Sequence, residues 1–358
     1  MEKPYIGWRD PGWAGSAQKE YTEPTDLLSP RGILLPRGWA RQGLFRYDRN
    51  HVMYPIHRKE WDYYQLSNGR YMVQIVFANI TIGGYANAVL VDLREGRTLV
   101  NKMAPYAGQT NKYALPERGD VPNEFRAEIG GATFREETRP DRRELHFSMG
   151  DVSFDFVMEI AEGLENLTTV FPFQGKLDRY FMTIKQNCMP CFGTVVAGDQ
   201  TWEFSEDDCF CVMDWGRICS PYEMSWYWGN GSTYLTDAEG LRHLFGFELT
   251  WGIGDESAAT ETALFYDGKL HKIGAVDVEQ FPKPDKWMEP WHFVSEDGRL
   301  DLTMVPFYDH HTDLNIGVMR MHGHQVHGLW SGKTVLDDGT ELEIRDMYAF
   351  CEYVEDRW

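Results

Sequence analysis

From Trp61 onward the chain breaks into strand-length runs separated by glycine-containing turns, and this texture limits the folds open to it. WDYYQLS, YMVQIVFANITI and YANAVLVDL follow one another, broken at Asn68-Gly69, Gly83-Gly84 and Glu95-Gly96. ATFREETRP, RELHFSMG, VSFDFVMEI and LTTVFPF continue the series. The second half repeats it in GTVVAGDQTWEF, HLFGFELTWGIG, TALFYDGKLHKIGAV, RLDLTMVPF and NIGVMRMHGHQVHGLWSGKTVLDDGTELEIRD. Asp267-Gly268 and Asp338-Gly339 read as hairpin turns. Only RDMYAFCEYVEDRW has helical spacing, with Met347, Phe350, Cys351 and Val354 on one face. The prediction is an all-β sandwich or barrel with a short C-terminal helix.

The organisation follows the same signals. Residues 1–60, with TEPTDLLSPRGILLPRGWAR, are expected to form an extended arm. Residues 61–180 and 181–358 make two strand-rich halves, each long enough to close one barrel, the helix ending the second. No strict repeat relates the halves.

Charge narrows the partners. The 358 residues carry 35 basic against 55 acidic side chains, a net charge of −20. Nucleic-acid binding rests on clustered Lys and Arg, and docking on anionic lipid needs the same sign, so both are disfavoured. MEKPYIGWRDPGWAG has no apolar signal region, and no stretch reaches the roughly 18 apolar residues of a membrane span. Six cysteines in a chain of this length do not form a secreted disulfide framework. The expected compartment is the cytoplasm, with no membrane insertion.

The densest chemistry lies in FMTIKQNCMPCFGTV and CFCVMDWGRICSPYEMSWYWGNG. Cys188-Met-Pro-Cys191 lacks a second CxxC to complete a zinc site and lacks the α/β setting of a redox pair, so it reads as buried thiols. Asp214 and Arg217 flank Trp215 and Gly216, with Tyr222, Trp226 and Trp228 close behind. They form either an Asp–Arg pair tying a bulged strand or a pocket acid. In the second reading, burial among indoles keeps the Asp214 carboxyl protonated and the rings steady a developing cation.

Further candidates are dispersed. Glu261 could be a second acid or base, and His271 lies across the Asp267-Gly268 turn. Asp62 beside Tyr63 repeats the acid-among-aromatics pattern. Lys185, Gln186 and Asn187 on a core strand need partners. His322 and His324 share a strand face, and His310-His311 could add a ligand, but no carboxylate motif accompanies them. An inward polar role for one of His322, His324 and His327 is favoured, and neither metal nor cofactor is expected. No nucleophile elbow, P-loop, dinucleotide fingerprint or HExxH is present.

These segments together resemble the bacterial family known as domain of unknown function 2804. The likeness runs through TEPTDLLSPRGILLPRGWAR, KEWDYY, KQNCMPCFGTV, DWGRICSPYEMSWYWG, TETALFYDGKLHKIG, WMEPWHF and HQVHGLWSGKTVLDDG. More distantly, size and strand texture are similar to the tocopherol cyclase, carotenoid hydratase and AttH-like group. That resemblance implies two calycin (lipocalin-like) antiparallel barrel halves around a pocket for apolar, often isoprenoid, ligands.

The expected function is cofactor-independent acid–base chemistry of hydratase, isomerase or cyclase type on a largely apolar small molecule. Asp214 would be the acid, with Arg217 setting its charge or holding a substrate oxygen. Glu261, His324 and Tyr63 stand in the second rank. Trp215, Trp226, Trp228, Tyr222, Asn187, Lys185, Asp62 and His271 would line the site. Two alternatives remain: a non-catalytic lipid or terpenoid carrier, and a carbohydrate hydrolase with paired carboxylates.

Overall fold

The computed structural model describes residues 7–80, 82–108, 111–173, 175–278, 286–317 and 319–357. Apart from two short 3-10 turns at Arg49–His51 and Pro55–His57, its regular structure is β. No described helix is long and apolar enough to cross a membrane.

The arm supplies β1 (Thr25–Asp26), β2 (Gly38–Ala40) and β3 (Phe45–Arg46). The first large sheet begins with β4 (Arg58–Ser67), β5 (Tyr71–Asn79), β6 (Gly83–Asp92) and β7 (Arg97–Ala107). It continues with β8 (Asn123–Ile129), β9 (Ala132–Thr138), β10 (Arg142–Met149), β11 (Val152–Glu159) and β12 (Leu167–Phe173). β13 (Lys176–Ala197), β14 (Gln200–Phe204) and β15 (Phe210–Cys219) complete it. The second sheet begins with β16 (Glu223–Thr236), β17 (Arg242–Trp251), β18 (Glu261–Tyr266), β19 (Lys269–Lys272) and β20 (Val276–Val278). It ends with β21 (Trp291–Ser295), β22 (Leu300–Ile316), β23 (Met319–Val335) and β24 (Glu341–Arg357).

Both sheets obey one plan. In the first, the order is β7-β6-β5-β4-β15-β13-β11-β10-β9-β8, so the meander β4–β7 joins the rest through its first strand, β4, paired to the last, β15. In the second, the order is β19-β18-β17-β16-β24-β23-β22-β21-β20, again a four-strand meander joined by its first strand, β16, to the last, β24. All these pairings are antiparallel. The fold is therefore all-β, two curled antiparallel barrel halves packed together.

The sheets change partners at one place. β13, which spans the expected division near residue 180, and β15 beyond it both hydrogen-bond within the first sheet. The crossing to the second falls between Cys219 and Glu223. The expected C-terminal helix is instead β24. Met347, Ala349 and Cys351 enter the second core while Phe350 and Tyr348 face the other barrel. A strand buried on both faces loses its polar alternation, and its apolar residues can then mimic helical spacing.

Each half has a filled interior. Tyr64, Phe77, Phe134, Phe147, Phe154, Met213 and Trp215 belong to the first core. Tyr227, Trp251, Trp291, Phe293 and Trp330 pack in the second, with Tyr227 stacked on Trp251 at 4.9 Å. Four smaller apolar patches sit between the halves. One joins Trp39, Leu167 and Cys188 to Ala259, Ala263, Phe265 and Leu270, and another joins Phe171, Phe181 and Ile218 to Ile253 and Trp226. The remaining two are Val212 with Trp228 and Phe350, and Met72 with Tyr308 and Tyr348.

The arm laces the halves together. Its β2 pairs with β12 of the first sheet, while the amides of Ala17 and Lys19 donate to Ser257 and Ala258 of the second. Gln18 Nε2 donates to Thr260 Oγ1 at 2.8 Å.

The barrels come into close contact at a bulge. The β13–β15 register shifts between Gln186 and Met189, where Cys188 adopts φ +58°. A Cβ on Gly246 would stand 2.5 Å from Cys188 Sγ and 2.7 Å from the Gly231 carbonyl oxygen. Backbone on one side cannot yield. We therefore expect Gly246→Ala to lower stability by about 1–3 kcal/mol, the usual cost of overpacking. A urea midpoint unchanged from the parent chain would contradict this.

Candidate functional site

The centre of the seam between the barrels is polar, although apolar patches surround it. Strand alternation explains how it forms. On β13, Met182 and Ile184 point into the first core, which turns Thr183, Lys185 and Asn187 toward the second barrel. On β15, Met213 and Trp215 point inward, which turns Asp214 outward. On β16 and β17, Tyr227, Phe247 and Leu249 enter the second core. Trp226, Trp228, Asn230, Glu248 and Thr250 are left facing the seam.

The side chains meet around one ammonium. Lys185 Nζ lies 3.2 Å from Asp214 Oδ1 and 3.8 Å from Glu248 Oε1. It also sits 3.9 Å from the centroid of the Trp228 ring. Burial by itself would push the Lys185 pKa down, but Asp214, Glu248 and Glu261 outweigh it and hold the ammonium above its ordinary range. Glu248 accepts from Thr250 Oγ1 at 2.9 Å and from Asn230 Nδ2 at 3.0 Å. Asn230 also donates to Asn187 Oδ1 at 2.9 Å, and Thr183 donates to Glu261.

The carboxyls that hold protons are the deepest ones. Burial first, opposed by Lys185 and reinforced by Glu261, raises the Glu248 pKa to about 8. Burial likewise raises Glu261 to about 7, again against Lys185. The group thus keeps a carboxylic acid near neutral pH beside Asp214, which pairs with Lys185 and whose side chain is 13% exposed at the edge.

A hydrogen-bonded chain of side chains continues the seam. Tyr63 OH donates to Gln65 Oε1 at 2.6 Å, and Gln74 Nε2 bridges Gln65 and Gln325 at 3.1 and 3.0 Å. Gln325 donates to Glu352 Oε2 at 3.0 Å, and Trp226 Nε1 donates to Glu352 Oε1 at 2.9 Å. Tyr63 meets Trp228 edge to face with centroids 5.8 Å apart.

Of the residues expected from sequence, Asp214, Lys185, Asn187, Glu261, Tyr63, Trp226 and Trp228 therefore come together. Others do not. Arg217 points into the first barrel, on the opposite face of β15 from Asp214, because three residues along a strand reverse the face. It pairs with Asp62 at 2.8 Å, donates to the Trp61, Gly216 and Pro116 carbonyls, and stacks on Trp215 at 4.0 Å. Arg217 therefore cannot set the charge of Asp214, and Trp215 and Asp62 belong to the barrel interior.

His271 contacts Asp337 at 3.3 Å on β19, and Tyr222 is exposed on the link between the sheets. His324 lies on β23 beside Asp309, in the second barrel. The CxxC is confirmed as packing. Cys188 faces Ser232 in the seam while Cys191 lies 3.2 Å from Cys209 in the first core.

Among the described residues, the named aromatic side chains of both halves pack into the two cores. A small cavity of about 30 Å³ lies in the seam, lined by Gln65, Val212, Asn230, Tyr348 and Phe350 among others. Sequence reasoning missed Glu248, Asn230, Gln325 and Glu352. The available signal was Glu248 in FGFELTW, a lone charge in an apolar run.

The raised acids give a pH test. A carboxyl whose folded pKa exceeds its unfolded value of about 4.5 contributes fully below that value, and its contribution falls as pH rises toward 7–8. Glu248→Gln removes one such group, so its stability relative to the parent should improve between pH 5 and 8. The limit is about 1.4 kcal/mol per pH unit for one proton. Parallel urea-stability curves for the two chains would refute the assignment.

The family described as domain of unknown function (DUF2804) matches residues 18–358. No curated protein sequence matches the chain. Among solved structures, kievitone hydratase from Nectria haematococca is similar at TM-score 0.46 and 9% identity, covering 84% of this chain and 88% of that one. An AttH-type protein from Nitrosomonas europaea gives TM-score 0.46 and 11% identity, covering 86% and 96%. CghA gives 0.43 and 11%, covering 94% and 97%. The match over nearly its whole length makes this chain a member of the DUF2804 family.

Proposed function

We propose that the seam is the active site of an acid–base enzyme of hydratase, isomerase or cyclase type, acting on a largely apolar small molecule. The observation that carries this reading is the shared ammonium. Lys185 pairs with Asp214 at 3.2 Å while the buried Glu248 and Glu261 carboxyls favour the protonated form. Adding a proton to one substrate atom and removing one from another requires this pairing of acid and base.

Asp214 is the base, since it reaches the edge of the seam. Glu248 and Glu261 are the proton reservoir, and Trp228 offers an indole face to a developing cation once Lys185 shifts. The apolar character of the substrate follows from the surroundings, Phe171, Phe181, Ile218 and Ile253 beside Trp226. A cavity of about 30 Å³ holds about one water, so a substrate must part the barrel faces to enter.

That small volume favours a second reading, in which the network only clamps the barrels together. Native mass spectrometry of the chain purified from its host, followed by identification of the co-purifying ligand, separates the two. For an enzyme, Asp214→Asn should lower turnover of that ligand by about 10²-fold or more while leaving its occupancy intact. Absence of any co-purifying small molecule, with Asp214→Asn altering only the melting temperature, would support the clamp. Retained occupancy with no turnover in either chain would instead indicate a carrier.

A further inference from the structure

Three histidines outside the seam converge on the β22–β23 hairpin. β21 pairs with β22 from Asp301 to Met304, so beyond that point β22 runs alongside β23 alone among the described strands. Cross-strand register sets His311 opposite His324 and Asp313 opposite His322. All four lie on the face that carries Val326 and Trp330 into the second core, where that face reaches the mouth of the barrel.

We propose that His311, His322 and His324 bind a divalent transition-metal ion of the zinc, copper or nickel class, with Asp309 as the positioning residue. One nitrogen from each ring lies within 4.8 Å of the others. The His311 and His324 rings are stacked at 4.3 Å, and His322 stands edge-on to both at 5.1 Å. Asp309 Oδ2 lies 2.7 Å from His324 Nδ1, an arrangement that fixes the ring and leaves Nε2 as the ligand atom. Trp287 stacks on His324 at 4.2 Å and limits its rotation further.

His322 supplies an independent observation. Its Nδ1 is buried without a hydrogen-bond partner, the nearest carboxylate oxygen, on Asp313, being 4.0 Å away. Such an atom either carries a desolvation cost or awaits a ligand. Tetrahedral coordination at zinc–nitrogen lengths places ligand atoms about 3.3 Å apart, so the rings must close slightly. His311 is exposed and can turn to do so. Three imidazoles without a carboxylate in the ring of ligands suit zinc, copper or nickel rather than calcium or magnesium, and leave a position for water.

The test uses the full chain without a histidine tag. Titration with zinc chloride by calorimetry, and with cobalt(II) by visible ligand-field absorption, should show one ion per chain. His322→Gln and His324→Gln should each weaken binding at least about tenfold, and Asp309→Asn about 10- to 100-fold, as removal of an outer carboxylate does. His292→Gln, on the same sheet but outside the cluster, should bind like the parent. Because His311 is exposed, His311→Gln tests the site with the core undisturbed, and circular dichroism checks each fold. No saturable binding by the parent chain, or unchanged affinity in the cluster variants, would overturn the proposal.

Discussion

An ammonium removed from water must find opposite charge, and the way Lys185 does so ties the two barrels to one another. The effective penalty for burying such an ion is several kcal/mol, recovered only when its partners are well placed. Asp214, on the neighbouring strand of the same sheet, supplies one partner at 3.2 Å. The Glu248 carboxyl at 3.8 Å and the face of the Trp228 ring, both from the second sheet, complete its polar surroundings. The apolar patches around this group attract the barrels but tolerate sliding, because hydrophobic burial is non-directional. A shift of one residue at β17 would leave Lys185 facing the second core's Phe247 or Leu249 rather than Glu248. The charge cluster therefore fixes the register that the patches alone would leave loose.

The topology explains why the cluster sits there. In each barrel half the first strand joins the last, and these paired strands, with β13 and β17 beside them, meet across the seam. Tyr63 comes from β4, Asp214 from β15, Trp228 from β16 and Glu352 from β24. Near the seam these strands run through stretches buried on both faces, as β15 is from Cys211 to Cys219, β16 from Tyr227 to Gly231 and β13 from Tyr180 to Cys191. By contrast β9 alternates buried and half-buried positions along its whole length, as a strand with one wet face should. Two halves without detectable sequence repetition thus share one strand plan and use the same part of it for contact.

Much of this was legible in the sequence, and the rest was hidden for physical reasons. Turn spacing and the lack of helical periodicity indicated an all-β chain, and the Lys185–Trp228 segment does hold the centre of the seam. Asp214 and Arg217 were grouped by proximity, yet the period of two already places them on opposite faces. Met347, Phe350, Cys351 and Val354 suggest a helix because the middle of β24, from Met347 to Val354, has no exposed residue to impose alternation. The point where the sheets change, Ser220-Pro221-Tyr222, carries no composition shift, so a division near residue 180 looked equally natural. Glu248 attracted no notice because its partners lie on β13 and β16, and one sequence does not show pairing at that distance.

Two buried charge clusters allow the structural and the chemical possibilities to be compared within one molecule. Inside the first barrel, Arg143 donates to Thr138, Tyr64, Gly119 and Gln186, while Arg217 meets Asp62 and three carbonyls. Each guanidinium there is held by many acceptors and enclosed by core side chains, an arrangement suited to fixing a loop and two strands. In the seam the cation is a lysine, which offers a point charge on a flexible stem rather than a rigid fork. Acids that hold their protons near neutral pH occur in both clusters, Glu136 beside Arg143 as well as Glu248 and Glu261 around Lys185, but in the seam the paired Asp214 also reaches the edge. A group built that way can exchange a proton with something that enters between the barrels, whereas the arginine cluster cannot without dismantling the core.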